Sequence, residues 1–161
     1  MSKIYIESKI KAPIKRVFDL ARSIDLHKIS TTGTNEEAIE GKISGLINLN
    51  ETVTWKAKHL GFYQTLTVKI IELESPNLFV DVMIKGTYKS MKHTHKFESF
   101  NDGTIMKDIF EFKSPLGILG EIVDILFLRN YMLKFLKTKN TVLKEVAEGE
   151  IWKELLNKNE D

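Results

Sequence analysis

The sequence predicts an α+β fold in which an antiparallel sheet is covered by one long C-terminal helix. Three observations carry this. Most of residues 51–113 alternates between apolar and polar with a period of two. The connections in that stretch are short, which suits antiparallel neighbours, because parallel ones need long crossovers. From residue 116 to 148 the period becomes helical, with no proline and only two early glycines.

The elements follow in order. Residues 3–11 place Ile4, Ile6 and Ile10 on one side and Glu7, Lys9 and Lys11 on the other, a half-buried strand. Pro13 ends it and suits the first turn of a helix. Ile14, Val17, Phe18 and Ala21 then recur at helical spacing, and a second short helix or irregular piece covers Asp25 to Ser30. Residues 30–37 are polar and turn-like. The next strand, 51–59, turns Val53, Trp55, Ala57 and His59 one way. Residues 62–74 alternate again, and Pro76-Asn77 marks a turn. Strands over 79–86, 89–100 and 104–113 follow, the last two joined through Asn101-Asp102-Gly103, a strong tight-turn signal. A helix from Leu116 to about Glu148 would be roughly 45 Å long. Its middle is apolar on more than one stripe, so deep packing is expected. A curved sheet around such a helix leaves a cavity between them, which makes a ligand site out of architecture. Residues 1–148 read as one domain. Residues 149–161 read as a short amphipathic tail, with Ile151, Trp152, Leu155 and Leu156 on one face. That tail either folds back or pairs with another copy, so a homodimer stays open.

Composition excludes several classes. The 161 residues contain no cysteine, which removes disulfides, thiolate metal sites and a cysteine nucleophile. Lys and Arg number 24 against 22 acids, a net charge of +2, and no basic module for nucleic acid is visible. Lys85, Lys89, Lys92 and Lys96 scatter over both strand faces and read as solvated surface. No apolar run has the length of a membrane span. The alternating N-terminus is no export signal, so a cytoplasmic location is expected. No phosphate-binding glycine pattern and no Gly-x-Ser-x-Gly elbow occurs.

Three stretches together resemble a known superfamily. They are IYIESKIKAPIKRVFDLARSIDLH, EGKISGLINLNETVTWKAKHLG, and MKDIFEFKSPLGILGEIVDILFLRNYMLKFL. In combination they look like the START/Bet v 1-like superfamily, in particular its polyketide cyclase/dehydrase-like ligand-binding branch, from about Ile4 to Val146. The resemblance implies a helix-grip fold. There, a curved antiparallel sheet of about six or seven strands wraps around the C-terminal helix, with two short helices after the first strand. It implies binding of a small hydrophobic molecule, such as a lipid or polyketide, more strongly than catalysis. It supplies no catalytic set residue by residue.

Strand parity nominates the pocket residues. Met91, His93, His95 and Phe97 share one strand face; Met106, Asp108, Phe110 and Phe112 share another. Trp55 and His59 face the same interior, and Tyr131 belongs to the long helix. The candidate ligand-binding set is therefore Trp55, His59, Met91, His93, His95, Asp108, Phe110, Phe112 and Tyr131. His93 and His95 lie about 7 Å apart along their strand. Four readings stay open for them. They are structural, bonded across the sheet or to Asp108. They orient a ligand's polar group, which is costly to bury unsatisfied. They act with Asp108 as general acid and base in a cyclase or dehydratase. Or, with His59 and Asp108, they hold a metal, although two histidines at i and i+2 on a strand are a weak metal signal. No metal ligands are assigned and no cofactor is expected. The leading expectation is a binder of a small hydrophobic molecule, opening near Pro115 and Gly117. The rivals are that enzyme and an interaction domain with a filled core.

Overall fold

In β1 (Ser2–Ile10) the alternation is carried straight into burial: Ile4, Ile6 and Ile10 are inside, Lys3, Tyr5, Glu7 and Lys9 outside. The structure is a computed structural model and describes residues 1–114 and 127–157. Pro13 precedes α1 (Ile14–Ala21), whose Val17, Phe18 and Leu20 are buried. Ser23 then caps α2 (Ile24–Ser30), its hydroxyl oxygen accepting from the Leu26 N–H at 3.2 Å.

Five strands follow as a meander: β3 (Thr52–His59), β4 (Phe62–Glu74), β5 (Leu78–Lys85), β6 (Ser90–Phe100) and β7 (Gly103–Lys113). Before them comes β2 (Glu37–Gly41), which pairs with β3 alone. The order across the sheet is β1-β7-β6-β5-β4-β3-β2, seven antiparallel strands. The first strand thus returns beside the last. β2 corrects the sequence reading, which began its turn-like stretch at residue 30 and assigned no strand between residues 11 and 51. Its residues EAIEG form an edge, mostly exposed, with no alternation to betray them.

Two hairpin turns are as short as the sequence demands. Leu60 and Gly61, both at positive φ, join β3 to β4. Asn101 and Asp102 join β6 to β7, with Phe100 opposite Gly103. Gly103 is needed for a different reason than the turn: a Cβ there would come within 2.4 Å of the Ile10 carbonyl oxygen. Register shifts between β4 and β5 leave Ile71 outside the ladder, and such bulges bend a strand. They help curl the sheet.

The long helix, α3 (Arg129–Glu148), lies against β1, α1 and α2. A π-type turn at residues 127–128 leads into it. Met132, Leu136, Leu143 and Val146 form its buried stripe. The expected first part of this helix, with Leu119, Ile122, Val123 and Leu126, lies outside the described residues, as do Pro115 and Gly117. The tail forms α4 (Trp152–Asn157) and folds back onto α1, with the Arg16 guanidinium 3.9 Å from the Trp152 ring centre. Among the described residues no helix is long and apolar enough to cross a membrane.

Candidate functional site

The curled sheet and α3 do not close on each other completely. Between them lies a cavity of about 720 Å³, counting its open mouth. Trp55, Leu66, Val68, Met91, Phe110 and Leu136 supply most of its apolar wall. Beside it, between the β3–β4 hairpin and the start of α3, His59, Leu60, Tyr88 and Tyr131 border an adjoining space.

Two polar clusters face this interior. In the first, the His27 ring stacks on Trp55, with centroids 3.9 Å apart. Lys139 Nζ lies 3.1 Å from His27 Nδ1, and His27 Nε2 meets Glu36. A lysine ammonium can only donate, so Nδ1 accepts and Nε2–H donates to the carboxylate. His59 reaches the same carboxylate at 3.5 Å through Nε2, and its Nδ1 is 2.8 Å from the Tyr131 hydroxyl.

In the second cluster, β5, β6 and β7 bring two carboxylates and two imidazoles together. The register sets Asp81 opposite His93 and His95 opposite Asp108. His95 Nδ1 is 2.8 Å from Asp108 Oδ1, and its Nε2 is 3.2 Å from Asp81 Oδ2. His93 Nε2 is 3.1 Å from the same Asp108 oxygen. The other Asp108 oxygen accepts from the Asn140 amide at 2.6 Å. Phe79 stacks on the His95 ring at 4.1 Å, and Phe110 meets His93 edge-on at 5.2 Å.

The protonation states follow from this geometry. Burial alone would push the His95 pKa down, but the hydrogen bonds to Asp108 and Asp81 outweigh it and raise it to about 8. An imidazole held between two carboxylates donates from both nitrogens, which is the charged form. Burial and then the neighbouring His95 lower the pKa of His93. Burial and then Lys139 do the same to His27. The carboxyls run the other way. Burial would raise Glu36, Asp81 and Asp108, but their imidazole partners overcome it and hold all three below the usual range. Burial also lowers the Lys139 pKa, against the pull of the three carboxylates.

These shifts fix a pH dependence. The folded pKa of His95 lies above the ordinary 6.5, so its proton stabilises the fold fully below about pH 6.5. That contribution, on the order of 2 kcal/mol, is lost as pH rises through about 8. His93 and His27 act oppositely: their neutral rings stabilise above about pH 6.5, and that is lost as pH falls. In chelator-treated protein, imidazole NMR titration is expected to split the three, His95 above 6.5 and the other two below. The stability advantage of wild type over His95→Gln should shrink between pH 6.5 and 8.5. A His95 midpoint below 6.5 would contradict the doubly bonded geometry.

The sequence-nominated residues divide among four places. Trp55, His59, Met91, His93 and Phe110 line the central cavity. Tyr131 borders the adjoining space, bonded to His59. His95 and Asp108 stand behind the wall, beside a smaller space under α3. Phe112 is fully buried against Tyr88 and Phe110. Phe62 and Tyr63, at the start of β4, are exposed, and the Tyr63 ring sits under Lys56 and Lys58.

Sequence reading missed His27, Glu36, Asp81, Lys139 and Asn140. It turned three of the four histidines inward; the structure turns in all four. Two of these omissions had a signal. Asp81 shares strand parity with Phe79, an acid in the apolar run LFVDVMIK. Lys139 falls on the stripe Met132, Leu136, Leu143, Val146, at a position that periodicity reserves for an apolar residue.

No family model matches the chain, and no curated protein matches it. Solved structures do. TTHA0849 from Thermus thermophilus is 18% identical, with a TM-score of 0.73 over 89% of this chain and 95% of that one. Major latex-like protein 151 from Panax ginseng is 12% identical, with a TM-score of 0.68 over 92% and 98%. The Aha1 protein from Colwellia psychrerythraea, solved as a dimer, is 13% identical, with a TM-score of 0.64 over 92% and 97%. At these identities the likeness is one of fold and does not single out the polyketide cyclase branch: the chain has a helix-grip fold.

Proposed function

We propose that this protein binds a small, largely apolar molecule carrying one polar end group, of the lipid or polyketide-like kind, in the cavity between sheet and α3. The observation that carries the reading is the composition of the wall. Apolar side chains make most of it, while His27, Glu36, Asp81, His93 and Lys139 converge on it from four elements and the loop before β2. Apolar burial supplies affinity, and a few placed polar groups set orientation. Buried ionic networks seldom add net stability over apolar packing, so their presence here suits recognition better than scaffolding.

The test uses Trp55 as the reporter. In a Trp152→Phe background it is the only tryptophan of the two the chain contains. Protein as purified is examined by native mass spectrometry for a retained compound, extracted, and titrated with anilinonaphthalene sulfonate. One probe per chain is expected, with energy transfer from Trp55. Ala57 lines the cavity and makes no polar contact through its methyl group. Ala57→Leu fills the space and should weaken uptake roughly ten-fold or more. A wild-type chain that takes up no probe, or an Ala57→Leu chain that binds as well as wild type, removes the reading.

A second reading has one observation behind it. His93 lines the cavity, Asp108 orients its ring, and burial favours the neutral form. That is the arrangement of a general base, as a cyclase or dehydratase needs. Turnover of an extracted ligand that is abolished by His93→Gln, with ligand affinity kept, would select it.

A further inference from the structure

We propose that Asp81, His93 and His95 form a site for a divalent transition-metal ion of the zinc class. The inference is independent of the organic ligand, because the ion needs only these side chains.

Donor chemistry comes first. Two imidazoles and one carboxylate suit Zn²⁺, Co²⁺ or Fe²⁺, and do not suit Ca²⁺ or Mg²⁺, which take oxygen ligands. One donor atom from each residue lies within 4.8 Å of the other two. The His95 Nε2 to Asp81 Oδ2 separation is 3.2 Å. Two ligands on a tetrahedral zinc with ordinary bond lengths sit about 3.3 Å apart. An ion can therefore replace the proton between these two atoms with little movement of the strands.

Support from behind comes second. Metal-bound histidines present one nitrogen to the ion and donate the other N–H to a carboxylate or carbonyl. Asp108 is placed for that role toward both rings, at 2.8 Å from His95 Nδ1 and 3.1 Å from His93 Nε2. This leaves His95 Nε2, already on Asp81, for the ion, and keeps Nδ1 of His93 clear of Asp108. Asn140 fixes the second Asp108 oxygen, and Phe79 and Phe110 hold the ring planes. The three ligands stand on adjacent strands β5 and β6, so their spacing is set by the ladder and not by a loop.

Charge and access complete the case. Glu36, Asp81 and Asp108 all act on the Lys139 ammonium, and against it and the His95 imidazolium they leave one carboxylate in excess; a divalent ion that replaces the His95 proton answers it. Three protein ligands leave at least one coordination position open. Asp81 and His93 both line the central cavity, so that position faces the cavity. The sequence reading left a metal as one of four open roles, with Asp108 and His59 as the further ligands, and assigned none. The missing ligand is Asp81.

The experiment titrates chelator-treated full-length protein with Co²⁺ and then with Zn²⁺. One Co²⁺ per chain is expected, with visible absorption of a four- or five-coordinate ion, displaced by one Zn²⁺. Asp81→Asn and His93→Ala should each weaken binding by about 100-fold or more, and Asp108→Asn by about 10–100-fold through its hold on the rings. Circular dichroism identifies any variant that fails to fold. For that case, hyperfine-shifted imidazole resonances in the wild-type Co²⁺ complex must be those of His93 and His95. Absence of stoichiometric binding overturns the proposal. So does binding unaffected by Asp81→Asn and His93→Ala, or shifted resonances from His27 and His59 instead.

Discussion

Asp108→Ala is expected to lower folding stability by about 3–5 kcal/mol at pH 7, in urea denaturation of chelator-treated protein. Asp108 is 2% exposed and accepts from three groups: His93, His95 and the Asn140 amide. Truncation removes the acceptor and leaves all three donors in place. The most costly of them is His95, a buried imidazolium that keeps only Asp81 as a counter-charge. A domain of this kind is stable by about 5–15 kcal/mol in all, so the loss is a large share of the total. Asp108→Asn separates shape from charge. It keeps the volume and one carbonyl acceptor and should cost less, yet it should still pull the His95 midpoint down from about 8. A loss of under about 1 kcal/mol for Asp108→Ala would show that the donors find other partners, and the cluster as drawn would be wrong.

The same residue shows why the site was only half legible in the sequence. β7 alternates without a break: Thr104, Met106, Asp108, Phe110 and Phe112 are all buried. An acid at one of those positions announces itself, because the pattern is long and regular. Asp81 sits in β5, where the register shifts against β4 and the run LFVDVMIK is apolar on both faces, so parity says less. His27 lies on a seven-residue helix, too short for a periodicity to be read. Lys139 is one of several lysines on α3, with Lys134, Lys137 and Lys144, and its place on the apolar stripe is the one mark that sets it apart. Glu36 is the extreme case. It stands in a polar turn before an exposed edge strand and reaches the cavity because the sheet curls under it. The sheet and its covering helix were legible for the converse reason. Period two over β3 to β7 and the stripe of α3 are properties of many residues at once, and no single side chain decides them.

Phe18→Ala is expected to cost about 3–5 kcal/mol, through packing alone. Phe18 has no exposed surface, and it stands on α1 where the helix crosses the sheet. Its ring meets Phe79 and Phe97 edge-on, at 5.8 and 5.4 Å between centroids. Deleting it strips these contacts and leaves a void between a rigid sheet and a helix tied down elsewhere. The ties are the Arg16 bond to the Ala147 carbonyl and the Trp152 cover, so α1 cannot settle into the gap. Phe18→Leu, which keeps most of the volume, should cost less. The comparison with Asp108→Ala is what makes the pair informative. Both losses are of similar size, but Phe18→Ala leaves both carboxylates beside His95, so that ring should still titrate near 8. If Phe18→Ala moved the His95 midpoint below 6.5, the electrostatics of the cluster would depend on the seating of α1 through Phe79, and the two networks could not be treated as separate. If it cost under about 1 kcal/mol, α1 would not be packed as described, and α2, which carries His27 onto Trp55, would lose its anchor as well.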